Sequence, residues 1–246
     1  FQMVLALITI IAAVMFVHTN RVNEERDWGY DQFSKLVVPI PDEQYREVFE
    51  EKLLNDPNVE AIAGTKARVG ETLNGVQFIN GEVKKYAELL DVGAAYPELL
   101  KLRIVSGRLF DPMLKSDLDQ KLIVNESFLR SLQLEFDPDG TTVVQDSVNY
   151  TIIGVVEDFF YWSPDMKIRG LSMKAIPEEE YTSYLAQMVD GNINLQREAM
   201  ESVLAEIADD NLFGVAVQEA AFDNHFEESR GIRNVMLFTA SIAIFI

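Results

Sequence analysis

Few side chains in this chain have types and spacings that do chemistry. It has two histidines, His18 and His225, and no cysteine. Neither histidine stands in metal-ligand spacing with another His or Cys, so an exposed or interfacial role is the better reading. Without cysteine there is no disulfide, no thiolate zinc ligand and no thiol nucleophile. Asp111, Asp117 and Asp119 cluster ahead of an apolar strand. Carboxylates in such numbers suit a hard cation, but on an acidic chain a solvated loop accounts for them. Asp137-Pro138-Asp139-Gly140 has some letters of a calcium loop, yet the spacing and the missing terminal Glu make it a turn. Glu157-Asp158 offers a carboxylate pair for acid–base work, with no second polar constellation to complete it. Ser106-Gly107-Arg108 and Gly64-Thr65 are not phosphate loops, because neither G-x-x-x-x-G-K-[ST] nor G-x-G-x-x-G occurs. No serine lies in G-x-S-x-G. The residues therefore predict no catalytic, cofactor-binding or metal-binding site, and no enzyme.

The most unusual local feature is Phe159-Phe160-Tyr161-Trp162. Four consecutive aromatics do not all face one core. Either at least one is exposed to a partner or apolar ligand, or they fill a junction between subdomains; the junction is preferred, since exposed aromatic patches are uncommon.

These residues need elements to hold them. Lys35–Ile40 has the β-branched character of a strand. Asp42 then caps a helix whose apolar stripe is Tyr45, Val48, Phe49 and Leu53. Val59–Arg68 is the next strand. From Gly75 the pattern turns to short β runs: Gly75–Ile79 and Val83–Val92 joined at Asn80-Gly81, a short helix at Tyr96–Leu102, a strand at Leu122–Asn125, a helix capped by Asn125 to about Leu134, and a strand at Tyr150–Val156. Arg169–Ile176 and Tyr184–Val189 are predicted to return to the first unit. A helix over Asn192–Asp210, with Met200, Val203, Leu204, Ile207 and Ala208 on one face, leads to a last strand at Gly214–Gln218. The expected fold is α+β, in two subdomains of which one is discontinuous, the β-rich insertion covering about 75–165.

Both ends are apolar. Phe1–Val17 carries no charge and is apolar all round, and Val235–Ile246 is likewise uncharged. A membrane span takes about 17–25 such residues. The reading is a first transmembrane helix over 1–20, begun upstream, a core domain over 21–232, and the start of a second transmembrane helix over 233–246. A signal-peptide core fits poorly, as His18-Thr19-Asn20-Arg21 is not a small-residue cleavage site. The formal net charge is −19, which repels nucleic acid and excludes it as a partner.

Four motifs occur in order: Val105-Ser106-Gly107-Arg108-Leu109-Phe110, Leu122-Ile123-Val124-Asn125-Glu126-Ser127, Asp137-Pro138-Asp139-Gly140, and Tyr150-Thr151-Ile152-Ile153-Gly154-Val155-Val156-Glu157-Asp158-Phe159. This order resembles the periplasmic core domain of MacB/FtsX-type ABC-transporter permeases, and the likeness extends over nearly the whole chain. The stretch from Phe213-Gly214 through Phe222, Phe226, Glu228 and Arg230 is similar to the family's return into its FtsX-like membrane segment. The chain departs from the family in having Thr141 where Lys is frequent and Phe160 where His is frequent.

The resemblance implies a bacterial inner-membrane permease whose main domain is periplasmic. It further implies a cytoplasmic ABC ATPase partner, a permease homodimer or heterodimer, a possible periplasmic adaptor, and no cofactor. The implied role is mechanotransmission, in which ATP hydrolysis moves the periplasmic domain to export or release a substrate. Helical stalks at Asn20–Asp31 and Glu219–Arg233 would carry the motion, with Gly29 and Gly231 as hinges, Trp28 and Tyr30 marking a docking point, and Phe222 and Phe226 holding the second stalk to the domain. The alternative is an extracytoplasmic ligand-sensing domain of a membrane receptor.

Overall fold

The computed structural model describes residues 11, 12, 14, 15, 18, 27–137, 140–163, 166–208 and 214–222. Among these, no helix is long and apolar enough to cross a membrane. Most of the two apolar end runs, and with them His225, Phe226 and Gly231, lies outside the described residues.

The strand–helix–strand opening forms as its sequence dictates. β1 (Lys35–Pro39) is followed by one 3-10 turn (Glu43–Tyr45) and α1 (Arg46–Asn55). Asp42 Oδ1 accepts the Gln44 N–H at 3.1 Å, satisfying one orphan donor of the first turn. β2 (Val59–Thr65) comes next. The same unit resumes more than a hundred residues later with β10 (Ser183–Met188), α4 (Ile193–Ile207) and β11 (Ala216–Val217). These strands make an open antiparallel sheet in the order β11-β1-β10-β2.

Alternation along β1 and β10 divides the side chains between two cores. Leu36, Val38, Tyr184, Ala186 and Met188 pack on Phe49 and Leu53 of α1 and Met200 and Leu204 of α4. Val37 and Leu185 point the other way, into a second core. A strand buried on both faces needs a continuous apolar run, which is why KLVVPI does not alternate. Val48 and Val203, expected on the buried stripes, remain exposed.

The insertion between β2 and β10 supplies β3 (Asn74–Asn80), β4 (Val83–Val92), α2 (Tyr96–Leu99), β5 (Ile104–Gly107), β6 (Lys121–Asn125), α3 (Glu126–Leu132), β7 (Thr142–Gln145), β8 (Val148–Val156) and β9 (Leu171–Ala175). Pairings β4–β3, β3–β7, β7–β8, β8–β6, β6–β9 and β9–β4 run full circle and close six strands into a ring, with β5 added beside β8. Closure leaves no free edge on those six strands. The ring is filled by Phe78, Leu122, Val124, Val143, Ile152 and Val155, and α3 contributes Phe128 and Leu132. Arg169–Ile176 was expected to return to the open sheet. It becomes β9 in the ring instead, because its partners are β4 (in parallel) and β6. β5 and β7 were not expected as strands; β5 is exposed at all four residues and offers no apolar alternation.

The ring and the open sheet share one strand pairing, Thr65 of β2 with Val92 of β4. Gly93 N–H to Gly64 O at 2.8 Å and Lys66 N–H to Asp91 O at 3.0 Å flank it.

Candidate functional site

The second core lies where the ring, the open sheet and the two chain arms meet. Extended chain at β8 ends in the four aromatics. Phe159 and Tyr161 are buried in this core, and the half-buried Phe160 and Trp162 pack against its margin. The junction role expected of them holds, and none is exposed.

The incoming arm reaches them through Trp28 and Tyr30, both 6% exposed. Trp28 sits edge-on to Phe160 at 5.8 Å between centroids, and Tyr30 edge-on to Phe159 at 6.1 Å. The outgoing arm supplies Phe222, 5.0 Å from Trp28. Incoming arm, outgoing arm and ring thus touch in one place. Such edge-to-face pairs are worth ~0.5–1.5 kcal/mol each beyond the area they bury. The backbone joins too: Phe160 N–H donates to Trp28 O at 2.8 Å, and Gly70 N–H to Tyr161 O at 2.8 Å. The Gln32 amide, set with its oxygen toward the indole, accepts from Trp28 Nε1 at 3.3 Å. Gln218, 1% exposed, donates through Nε2 to Val69 O at 3.2 Å and to Tyr30 Oη at 3.5 Å. Burial pushes the Tyr30 hydroxyl well above the usual phenol range, against the lowering effect of Gln218, so it stays protonated.

Gly29 takes a different role from the one expected. Its φ is +83°, and a Cβ there would lie 2.8 Å from Phe159 Cβ and 3.0 Å from Phe159 Cα. The residue is a close-approach point that lets the incoming backbone lie on β8's exit, not a swivel. The helical stalk expected to reach Asp31 does not: residues 27–32 are bend and irregular chain. On the other arm Gln218–Ala220 is a single 3-10 turn.

A charged clamp backs the junction. Asp31 pairs with Lys101 at 2.7 Å and with the fully buried Lys35 at 3.0 Å. Burial alone would raise the Asp31 carboxyl. The Lys101 and Lys35 ammonium groups and the Phe33 N–H outweigh it and hold the carboxyl below its ordinary value. Burial lowers Lys35, with Asp31 opposing.

The other candidates sort into structural duties. Glu157 and Asp158 diverge, as neighbours on extended chain must. Glu157 pairs with Arg103 at 2.7 Å. Asp158 accepts the Ser127 N–H at 2.9 Å at the start of α3 and pairs with Arg130. They do not face one another. Asp117, buried, takes both arms of Arg108 at 2.5 and 2.7 Å and the Asp111 N–H at 2.9 Å. The Arg108 guanidinium holds that carboxyl below its usual range. Among the described residues no group of three His, Cys, Asp or Glu is placed to hold a metal ion. His18 is exposed.

The four motifs gain reasons. Gly107 has φ +75°, and a Cβ there would lie 2.3 Å from Ile153 O, while one on Gly154 would lie 2.0 Å from Arg108 O. The two glycines let β5 and β8 cross in contact. Asn125 Oδ1 accepts from Phe128 N at 3.0 Å and Leu171 N at 2.8 Å, capping α3 and fixing β9. Gly140 and Thr141 N–H groups both donate to Asp137 O at 3.1 Å, closing the turn.

A family model described as the MacB-like periplasmic core domain matches residues 3–211. The chain belongs to that family. Its fold is that of solved MacB-like domains. The periplasmic region of MacB from Actinobacillus actinomycetemcomitans superposes with a TM-score of 0.56 at 14% identity, covering 77% of this chain and 91% of that one. The extracellular domain of the noncanonic ABC-type transporter YknZ from Gram-positive bacteria gives 0.54 at 13% identity, covering 74% and 98%. At such identities the likeness is one of fold. No curated protein matches the sequence. The MacB-like family is a transporter-permease domain family, not a classical enzyme family, and membership implies an inner-membrane protein with an ABC ATPase partner.

Proposed function

We propose that this domain is the periplasmic receiver of a MacB/FtsX-type permease, converting motion of its membrane helices into movement of the periplasmic unit for export or release of a substrate. The domain spans 21–232, the segments 1–20 and 233–246 enter the membrane, and the permease works as a homodimer or heterodimer with its ATPase. The observation that supports the reading is the contact of Trp28, Phe222 and Phe160. Displacement of either arm acts at once on the other arm and on the ring, with no Gly/Ser linker between to absorb it.

The test uses the full-length permease reconstituted with its ATPase. Phe160→Ala, at a half-buried site, and Trp28→Ala are expected to leave ATP hydrolysis running while transport falls at least tenfold. Normal transport in a folded Trp28→Ala permease would sink the proposal.

A further inference from the structure

A cleft of about 480 Å³ lies across the joint between ring and open sheet. Its floor is the joint itself: Gly64 of β2 and Gly93 after β4, with the half-buried Tyr181 laid over both. A Cβ on Gly64 would fall 1.9 Å from the Tyr181 ring, and one on Gly93 2.6 Å from Tyr181 Oη. Glycine in a strand marks a place where another group must come close, and here that group is an aromatic ring. Tyr181 in turn meets Tyr184 edge-on at 6.2 Å. Ile62, Leu114 and Leu118 add apolar wall. Above them the 111–118 loop exposes Met113 at 87%, Leu114 at 45% and Leu118 at 39%.

The charge on this cleft is one-sided. Glu50, Asp111, Glu178 and Glu179 line it, and among the described residues none of the four takes part in an ion pair given by the structure. Asp117, also in the lining, is neutralised by Arg108. Among the described residues Lys115 is the one cation in the lining. Burial first, and then the fields of Glu178, Glu50 and Glu179, push the Tyr181 hydroxyl up to about 12. An aromatic ring beside carboxylates attracts a cation by both its quadrupole and their charge. The volume falls in the range of about 300–1,000 Å³ that holds a bound ligand or a few residues of peptide.

We infer that this cleft binds a basic peptide segment, seating a Lys or Arg side chain against Tyr181, Glu178 and Glu179 while aliphatic neighbours of that side chain cover Leu114 and Leu118. An extended segment suits the site because the cleft lies between two units and its lining carries both carboxylates, at Glu178 and Glu179, and apolar side chains, at Leu114 and Leu118. This rests on the membership of the MacB-like family only for the domain's setting; the cleft argument is separate from the arm junction.

The test is direct titration of the detergent-solubilised full chain, using a fluorescently labelled peptide of alternating leucine and arginine and, as comparators, a leucine–glutamate peptide and dodecylammonium. The leucine–arginine peptide is expected to bind, and Glu178→Gln with Glu179→Gln to weaken it at least tenfold. Tyr181→Leu, which keeps the apolar bulk, is expected to weaken it about threefold to fivefold, in line with a cation–π contribution of ~0.5–1 kcal/mol. The pair Glu47→Gln and Glu51→Gln, on the exposed side of α1, is expected to change little. Three results overturn the inference: no binding of the leucine–arginine peptide, an equal loss from the α1 pair, which would mean diffuse attraction to an acidic surface, or tighter binding of dodecylammonium than of the peptide, which would make the site one for small amphipathic cations. Because these variants lie away from Trp28 and Phe222, their failure leaves the proposed coupling role untouched, and loss of coupling leaves the peptide site standing.

Discussion

The open sheet and the ring solve the same problem, a sheet with two faces and two edges, in opposite ways. The ring curls until it has no edge and fills its interior with Phe78, Phe128 and aliphatic side chains. The open sheet keeps its edges and buries both faces, one under α1 and α4 and the other against the aromatic junction. Their charges differ as well. Residues 74–175 carry eleven Lys or Arg against fifteen Asp or Glu, while 35–65 and 176–222 together carry four against seventeen. Most of the negative charge therefore rides on the open-sheet unit. The lesson is a division of labour: the ring is a self-contained, nearly neutral body, and the open sheet is the charged frame through which the chain arms hold it.

That contrast predicts unequal consequences for equal deletions. Trp28→Ala removes a buried aromatic shared by both arms and the ring, at an expected cost of about 3–5 kcal/mol. Phe128→Ala removes a fully buried ring at a similar cost. Amide exchange separates them: Trp28→Ala should lower protection in β1, β10 and β8 together, Phe128→Ala only in the ring strands. If Phe128→Ala loosens β1 and β10 equally, the two units are one cooperative body and the contrast fails.

Gly29→Ala comes next. Its positive φ and the 2.8 Å approach to Phe159 Cβ should cost about 1–3 kcal/mol, read as a lower thermal midpoint. Gly29→Pro is expected to be worse, because φ +83° is closed to proline and the Gly29 N–H, which donates to Asp27 Oδ1 at 2.8 Å, would be lost. Gly81→Ala, also at positive φ but with nothing near its Cβ, is the control for strain without a clash.

Acid should loosen the Arg108–Asp117 clamp of the ring. The Asp117 carboxyl is held low by Arg108 in the folded ring. Its contribution is therefore present above the ordinary carboxylate value and is lost as pH falls below that value toward the folded one. Asp117→Asn should flatten the acid limb of ring stability and leave α1 and α4 protection unchanged. The smallest effect is that of salt. Raising ionic strength from about 0.01 to 0.15 M shortens screening from about 30 to 8 Å, which should slow amide exchange in α1 and α4 more than in β6 and β8.

Which parts could be read from sequence follows from how local their causes are. The Asp42 and Asn125 caps and the strand at Lys35–Ile40 depend on residues a few positions apart and lie where the pattern placed them, while the hairpin expected at Asn80-Gly81 turns one residue later, at Gly81-Glu82, with Asn80 still paired to Val83. Ring closure was hidden because it rests on β9 pairing with β4, some eighty residues away, and on β7 pairing with β3 at Ile79 and Val144. Gly29 was read as a hinge because sequence reveals a glycine's freedom but not the neighbour that uses its missing Cβ. In the same way the three aspartates near 117 are alike in sequence, and only folding sends Asp117 inward to Arg108 and leaves Asp119 in solvent. The junction aromatics were legible as a cluster, while their link through Trp28 to Phe222, more than sixty residues downstream, was not.

The nearness of Trp28 and Phe222 bears on how such a domain is inherited. Its first and last strands, β1 and β11, lie side by side, and the arms beyond them touch within 5.0 Å between ring centroids. Helices packed together stand about 8–10 Å apart. Seen from whatever those arms are fixed to, nearly two hundred residues therefore occupy the footprint of a short hairpin loop. A body with coincident ends can be cut out, shortened or exchanged for another of different shape without respacing its supports. Variation on the far side of the molecule is uncoupled from the geometry of its attachment.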